Sequence, residues 1–259
     1  MAVFKPINWL LARFAEKSCW SKVVFSVFTR ILPVPTTCVR GVPIKIVIPL
    51  NQAGVFESFK NWETREPETL DWIDAFEKDC VFFDVGASFG NETLYAALKS
   101  NGPRRIICFD IDLQASFNLA YNLQINCLSN VEQYYLGLSA EPGFIVASEH
   151  TNYACVPQRP PYDKIAYKTW GMPLDEFVEH VGTFPDYLKI DVDGFEEHLV
   201  RGMSRTLQNP RLKSVLIETN ATTRETVSRA LQAAGFVLTR ESAPIGETRN
   251  LIFQRSEKV

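Results

Sequence analysis

The chain has 259 residues, 46% of them hydrophobic and 22% charged, a composition that suits one large α/β domain or one domain plus an extension. A formal net charge of -3 offers no basic surface for a phosphate backbone, so nucleic acid is not an expected partner. The six cysteines (Cys19, Cys38, Cys80, Cys108, Cys127 and Cys155) include no CxxC pair, so reduced, mostly buried thiols in a cytosolic protein are expected rather than a disulfide or zinc framework.

Residues 1–32 carry Phe4, Ile7, Leu11 and Phe14 at helical spacing, followed by an apolar cluster from Val23 to Phe28. Lys22 and Arg30 bracket that cluster, and Arg13, Glu16 and Lys17 interrupt the stretch. No run reaches the ~20 apolar residues of a membrane span, and no clean signal-peptide core is present. One or two amphipathic helices packed on the domain or covering its site are expected. Trp9, Trp20 and the basic residues also suit peripheral contact with a membrane or a partner. Pro33 and Pro35 end the helical pattern. Residues 40–50 (RGVPIKIVIPL) alternate and are rich in Val and Ile, the signature of a strand or hairpin. A helix is predicted over 66–76, with Leu70, Ile73 and Phe76 on one face and Pro67 near its start. The expected organisation is a helical and strand extension over 1–60, a candidate cap, and the main domain over 61–259.

From Val81 the alternation becomes regular. Strands are predicted at 81–85, 105–110 and 131–136, with helices at 92–99 and 113–126 between them. The rhythm changes over 139–173, where 144–147 and 165–169 form a short extended pair around a loop rich in Pro, Tyr and Asn; loops this long are usually functional or mobile. A helix at 175–181, a strand at 187–190, a helix at 196–207 and a strand at 214–217 follow. The helix at 224–234 is closed by Gly235, and strands at 236–239 and 250–253 finish the chain. This pattern implies a Rossmann-like parallel sheet wound on both faces. The link over 240–249 is too short for a crossover helix, so the last strand is expected to run antiparallel to its neighbour.

Four of these strands end in acid, at Asp84, Asp110, Asp191 and Glu218. Ligands of doubly wound sheets sit at this carboxyl edge, and clustered carboxylates repel one another unless something positive or hydrogen-donating sits among them. Gly86 and Gly90 frame a GxxxG turn into the following helix. A dinucleotide site wants G-x-G-x-x-G, but Ser88 stands where the second glycine would fall and Asp84 precedes the turn. A carboxylate there repels a pyrophosphate and suits a ligand carrying an ammonium and a sulfonium, which is S-adenosylmethionine. Asp110 then accepts hydrogen bonds from the ribose hydroxyls. Asp112 either assists or caps the next helix.

DVGASFGNET (from Asp84), FDID (from Phe109), LDEF (from Leu174) and YLKIDVDGFEEHLVRG (from Tyr187) resemble the FkbM-type S-adenosylmethionine-dependent methyltransferases, whose pattern runs DVGAN-x-G, FEP, TLDD, KIDVEGAE. The resemblance covers about residues 63–253 in matching order and implies the class I methyltransferase fold, a seven-stranded sheet with its last strand antiparallel. It also implies O-methylation of hydroxyls on sugars, polyketides and related metabolites. The sequence departs from the pattern at Ser88 for Asn, at Asp110-Ile111 for Glu-Pro, and at Asp193 for Glu. The candidate cofactor-binding residues are Asp84, Gly86, Ala87, Ser88, Phe89, Gly90 and Thr93, then Asp110, Ile111 and Asp112, then Gly137, Leu138 and Asp191.

A neutral hydroxyl is a poor nucleophile, so a general base or a metal is expected. Asp191 and Asp193 are the leading catalytic candidates, with His150 in the long loop as a further one. Lys189 is expected to partner a nearby carboxylate, and His198 to lie on the helix surface. Glu218, Tyr153 and Trp170 are candidate substrate contacts, with Tyr162 and Tyr167 in the same aromatic cluster. Asp191, Asp193 and Glu218 would suit Mg²⁺ or Ca²⁺, but a required metal is not expected. The expected partner is a small-molecule or glycan acceptor, and the expected location cytoplasmic, with 1–32 as the segment for peripheral membrane contact. Two rival functions remain: an NAD(P)-binding oxidoreductase, disfavoured by Asp84 and the missing glycine, and a non-catalytic adapter of the same fold acting through its N-terminal helices.

Overall fold

The computed structural model describes residues 34–47, 54–146 and 168–256, so the helices expected over 1–32 lie outside the described residues. Strands β1 (Thr36–Val39) and β2 (Val42–Lys45) form an antiparallel hairpin. Its turn is Arg40-Gly41, both left-handed at φ 47° and 81°, which is the backbone of a tight two-residue hairpin turn. The stretch expected to start as a strand at Arg40 thus starts with the turn. From there the Arg40 guanidinium reaches Asp71 at 2.6 Å and Asp74 at 2.7 Å, fastening the hairpin to α3 (Pro67–Asp74). Two short helices, α1 (Gly54–Lys60) and α2 (Trp62–Arg65), lead into α3.

The central sheet has seven strands. They are β3 (Val81–Val85), β4 (Arg105–Asp110), β5 (Val131–Tyr135), β9 (Tyr187–Ile190), β10 (Ser214–Asn220), β11 (Phe236–Glu241) and β12 (Thr248–Arg255), in the order β11-β12-β10-β9-β3-β4-β5. β12 runs antiparallel to both neighbours, while the pairings among β10, β9, β3, β4 and β5 are parallel. Every residue of β3 is buried, as expected for a central parallel strand with helices on both faces. Side-chain alternation sends Val81, Phe83 and Val85 to a core shared with Leu188, Ile190, Phe177 and Leu199. Phe82 faces the opposite core, with Leu70, Ile73, Leu94, Trp62 and the hairpin residues Val39 and Ile44. The helices that follow β3 and β4 are α4 (Asn91–Leu98) and α5 (Leu113–Ile125). Cys80 and Cys108 are buried, whereas Cys38 and Cys127 are exposed.

A separate three-stranded sheet holds β6 (Gly137–Leu138), β7 (Gly143–Val146) and β8 (Lys168–Met172), in the order β6-β8-β7. β7 and β8 form the extended pair expected from the sequence, with Phe144 opposite Trp170. No helix among the described residues is long and apolar enough to cross a membrane.

The long helix expected over 196–207 is two helices, α7 (Glu196–Arg201) and α8 (Ser204–Gln208). Gly202 sits between them against the backbone just past β6; a Cβ there would meet the carbonyl oxygen of Ser139 at 2.0 Å. The Gly202 carbonyl accepts from the Asp175 amide, at the start of α6 (Leu174–Val181). The Asp175 carboxylate in turn accepts from the amides of Arg205 (2.8 Å) and Thr206 (2.7 Å) and from the Thr206 hydroxyl (2.7 Å). A side chain from α6 therefore caps α8, and periodicity alone does not register such a break. Asp175→Ala strands these donors in a buried place, and a loss of about 2–3 kcal/mol is expected. A lower urea midpoint with an unchanged slope would register it; an unchanged midpoint would show that the cap contributes nothing.

Candidate active site

The carboxyl edge of the sheet is built around the turn after β3. The amides of Gly86 and Ala87 both donate to the Phe109 carbonyl, at 2.9 and 3.0 Å, so the turn hangs from the end of β4. Gly86 has φ +78°, and a Cβ on it would fall 1.7 Å from the carbonyl oxygen of Asp191. Only glycine fits where the β3 and β9 turns touch. Ser88 is left-handed at φ 48°, and its amide donates to Asp110 Oδ2 at 2.6 Å. The Asp112 amide donates to Asp110 Oδ1 at 2.7 Å. Asp110 is thus a fixed two-oxygen acceptor at the cleft rim. Burial pushes its carboxyl up to about 7, against the pull of the Asp112 and Ser88 amides. Asp112 caps α5 by accepting from the Ala115 amide at 2.6 Å and also lines the cleft.

The cleft has a volume of about 510 Å³, within the ~300–1,000 Å³ of small-molecule sites. Its apolar walls include Val85, Phe109, Leu136, Leu138 and Phe195. Of the residues expected from sequence, Gly86, Ser88, Asp110, Ile111, Asp112, Gly137, Leu138, Asp191, Asp193 and Glu218 line it. Asp191, Asp193 and Glu218 each bring a carboxylate oxygen into a group within 4.8 Å of one another. Burial, then the charge of Asp191, pushes Asp193 up to about 6 and Glu218 up to about 8.

Ala87, Phe89, Gly90, Thr93 and Asp84 stand behind this wall. Asp84 shares the Phe82 side of β3 and is fully buried; it accepts from the Thr93 hydroxyl at 2.6 Å and lies 3.9 Å from Lys189 Nζ. It therefore contacts the cleft only through Lys189, not as the expected facing carboxylate. Trp170 packs edge-on against Phe144, with ring centroids 5.3 Å apart, and is half exposed outside the cleft. His198 is exposed and stacks on Phe195 at 4.6 Å. His150, Tyr153, Tyr162 and Tyr167 lie outside the described residues.

Sequence inspection missed three groups. Arg65 and Glu66, from the end of α2, line the cleft but precede every recognisable motif. Glu92, in the first turn of α4, lies 3.8 Å from Lys189; its carboxyl next to an expected lysine partner was the available signal. Lys189 is itself buried, and its Nζ lies 3.1 Å from Asp191 Oδ2. Burial alone would lower the pKa of this ammonium, but Asp191, Glu92 and Asp84 together raise it well above the usual lysine value. Burial raises Asp84, and pushes Glu92 up to about 8, against the pull of the same lysine.

The strand order, the glycine turn after β3, the acids at the ends of β4 and β9 and Glu218 within β10, two residues before its end, define a class I methyltransferase architecture. The sequence profile of the methyltransferase FkbM domain matches residues 84–238, and the chain belongs to that family, which implies S-adenosylmethionine as methyl donor. No curated protein sequence matches the chain. Among solved structures it is similar to the methyltransferase FkbM of Methylobacillus flagellatus KT, with a TM-score of 0.51 and 18% identity, covering 69% of this chain and 44% of that one. The chain thus spans less than half of that protein. It is also similar to precorrin-6y C5,15-methyltransferase from Geobacter metallireducens GS-15, with a TM-score of 0.48 and 15% identity, covering 74% of this chain and 87% of that one. At these identities the likeness is one of fold.

Lys189→Met removes the one cation that pairs with Asp84, Glu92 and Asp191 among the described residues, and breaking such a buried cluster costs about 3–5 kcal/mol. Carboxyls raised in the folded state favour folding when protonated. Their contribution is complete below the unfolded value near 4.5 and fades as pH rises towards about 8, the folded value of Glu92. The variant is therefore expected to gain more stability than the parent when urea unfolding is moved from pH 8 to pH 5. Parallel pH profiles for the two proteins would refute the cluster's charge balance.

Proposed function

We propose that this chain is an S-adenosylmethionine-dependent O-methyltransferase that modifies a hydroxyl on a sugar or a secondary-metabolite-type acceptor. The observation that carries the reading is the donor set of the cleft. Asp110 offers two fixed acceptor oxygens at one end, suited to a ribose diol, and Asp191, Asp193 and Glu218 gather carboxylates at the other, suited to an ammonium and a sulfonium. A pyrophosphate finds carboxylates there instead of donors, which disfavours the nicotinamide alternative. Bound in this cleft, S-adenosylmethionine would supply a methyl group already activated on a sulfonium.

The protein's own residues orient the acceptor and manage its proton. Lys189 holds the Asp191 carboxylate from below, so that Asp191 positions the acceptor. Asp193, raised to about 6, is ionised at neutral pH and close enough to operating pH to take a hydroxyl proton. Glu218 is raised to about 8 by burial and the charge of Asp191, and a cation bound beside it favours its charged form. His150, outside the described residues, remains a further candidate base.

Calorimetry with S-adenosylhomocysteine tests the cofactor site. Binding is expected, with loss of at least about tenfold in Asp110→Ala, where both hydrogen bonds to the diol go. Affinity should fall as pH drops below about 7, because a protonated Asp110 loses an acceptor, and Asp110→Asn should flatten that dependence. Binding of NAD(P) but not of S-adenosylhomocysteine would overturn the reading.

Asp193→Asn is expected to lower kcat by about 10²–10⁴, a larger loss than any weakening of S-adenosylhomocysteine binding measured by calorimetry on the same variant. Activity surviving EDTA is expected with it; strict dependence on an added divalent cation would make Asp193 a ligand instead of a base.

A further inference from the structure

The cleft is lined by Glu66, Asp110, Asp112, Asp191, Asp193 and Glu218, and Arg65 is the only cation among its described lining residues. Arg65 ends α2, which Trp62 anchors: that indole is fully buried and packs edge-on against Tyr95 of α4, with centroids 5.7 Å apart. The Glu66 amide closes the helix on the Trp62 carbonyl at 3.0 Å. The Glu66 carboxylate then takes Arg65 Nε at 2.8 Å and Nη2 at 2.7 Å. A guanidinium has five N–H donors in a rigid plane, so these contacts fix the plane and leave donors over.

The pair sits at the Asp191 end of the cleft. Trp62 of α2 packs on α4, whose Glu92 lies 3.8 Å from Lys189, and that lysine lies 3.1 Å from Asp191, whereas Asp110 belongs to β4 on the other side of β3. The proposed methyl donor brings two cations and one anion: the sulfonium, the α-ammonium and the α-carboxylate. Asp191, Asp193 and Glu218 suit the cations and repel the anion. Among the described lining side chains, Arg65 is the one cation an anion in this cleft can meet.

We propose that Arg65 receives the α-carboxylate of the methyl donor, and of its product, as a charge-assisted hydrogen-bonded pair, with Glu66 as the positioning residue that holds the guanidinium. This rests on the cofactor reading above. The Arg65 side chain is 43% exposed, so replacing it removes a ligand contact without opening the core.

The test compares S-adenosylhomocysteine with its decarboxylated analogue, which lacks only that carboxylate, by calorimetry on the full chain and on Arg65→Gln and Arg65→Lys. The parent is expected to prefer S-adenosylhomocysteine by at least about tenfold. Arg65→Gln should erase the preference by weakening S-adenosylhomocysteine alone, and Arg65→Lys should restore part of it. A preference that persists in Arg65→Gln, or an equal weakening of both ligands, overturns the assignment while the cofactor reading stands. A parent protein that binds neither ligand overturns both.

Discussion

Beneath the cleft, one buried ammonium meets two buried carboxylates and a third that lines the cleft. Lys189 and Asp84 are register partners on adjacent strands, Glu92 enters from the helix that follows the glycine turn, and Asp191 is the first residue past the strand that carries the lysine. Removing an ion from water costs several kcal/mol unless opposite charge is close at hand, so none of these groups is tolerable alone. The pairing of β3 with β9, the start of α4 and the orientation of the cleft carboxylate are therefore satisfied together. The acid that faces the cleft is held by a charge that solvent does not reach.

The same coupling explains how two edges of the site share one geometry. The turn after β3 rests on the end of β4 through the Phe109 carbonyl, and touches the turn after β9 through Gly86. The Asp110 acceptor and the group of carboxylates are thus fixed relative to each other by backbone, which is the precision a transfer reaction needs from its scaffold.

Much of this was legible in the chain. The strands at Val81–Val85, Arg105–Asp110 and Tyr187–Ile190 announce themselves as apolar runs, and the short 240–249 link foretells the antiparallel β12. Asp84 shows where linear inspection stops. An acid just ahead of a glycine turn reads as a strand end, yet Asp84 lies inside β3, and alternation puts it with Phe82, away from the cleft. Counting parity from Val81 would have found this. Arg65 and Glu66 carried no such signal, because a four-residue helix far from the motifs acquires meaning only when α4 and Trp62 bring it to the cleft. The split at Gly202 was hidden for a related reason: the residue that caps α8 comes from α6, and no local pattern records a cap supplied from elsewhere.

Ser88 stands where the family pattern places Asn, in a left-handed conformation at φ 48°. A side chain with a Cβ sits there at a cost of roughly 1–2 kcal/mol, which Asn and Gly tolerate better than Ser. What holds Ser88 there is the bond from its amide to Asp110. The turn and the acid are accordingly one mechanical part: without the acid the left-handed turn loses its tether, and with the turn relaxed the acid loses one of the two amides that aim it.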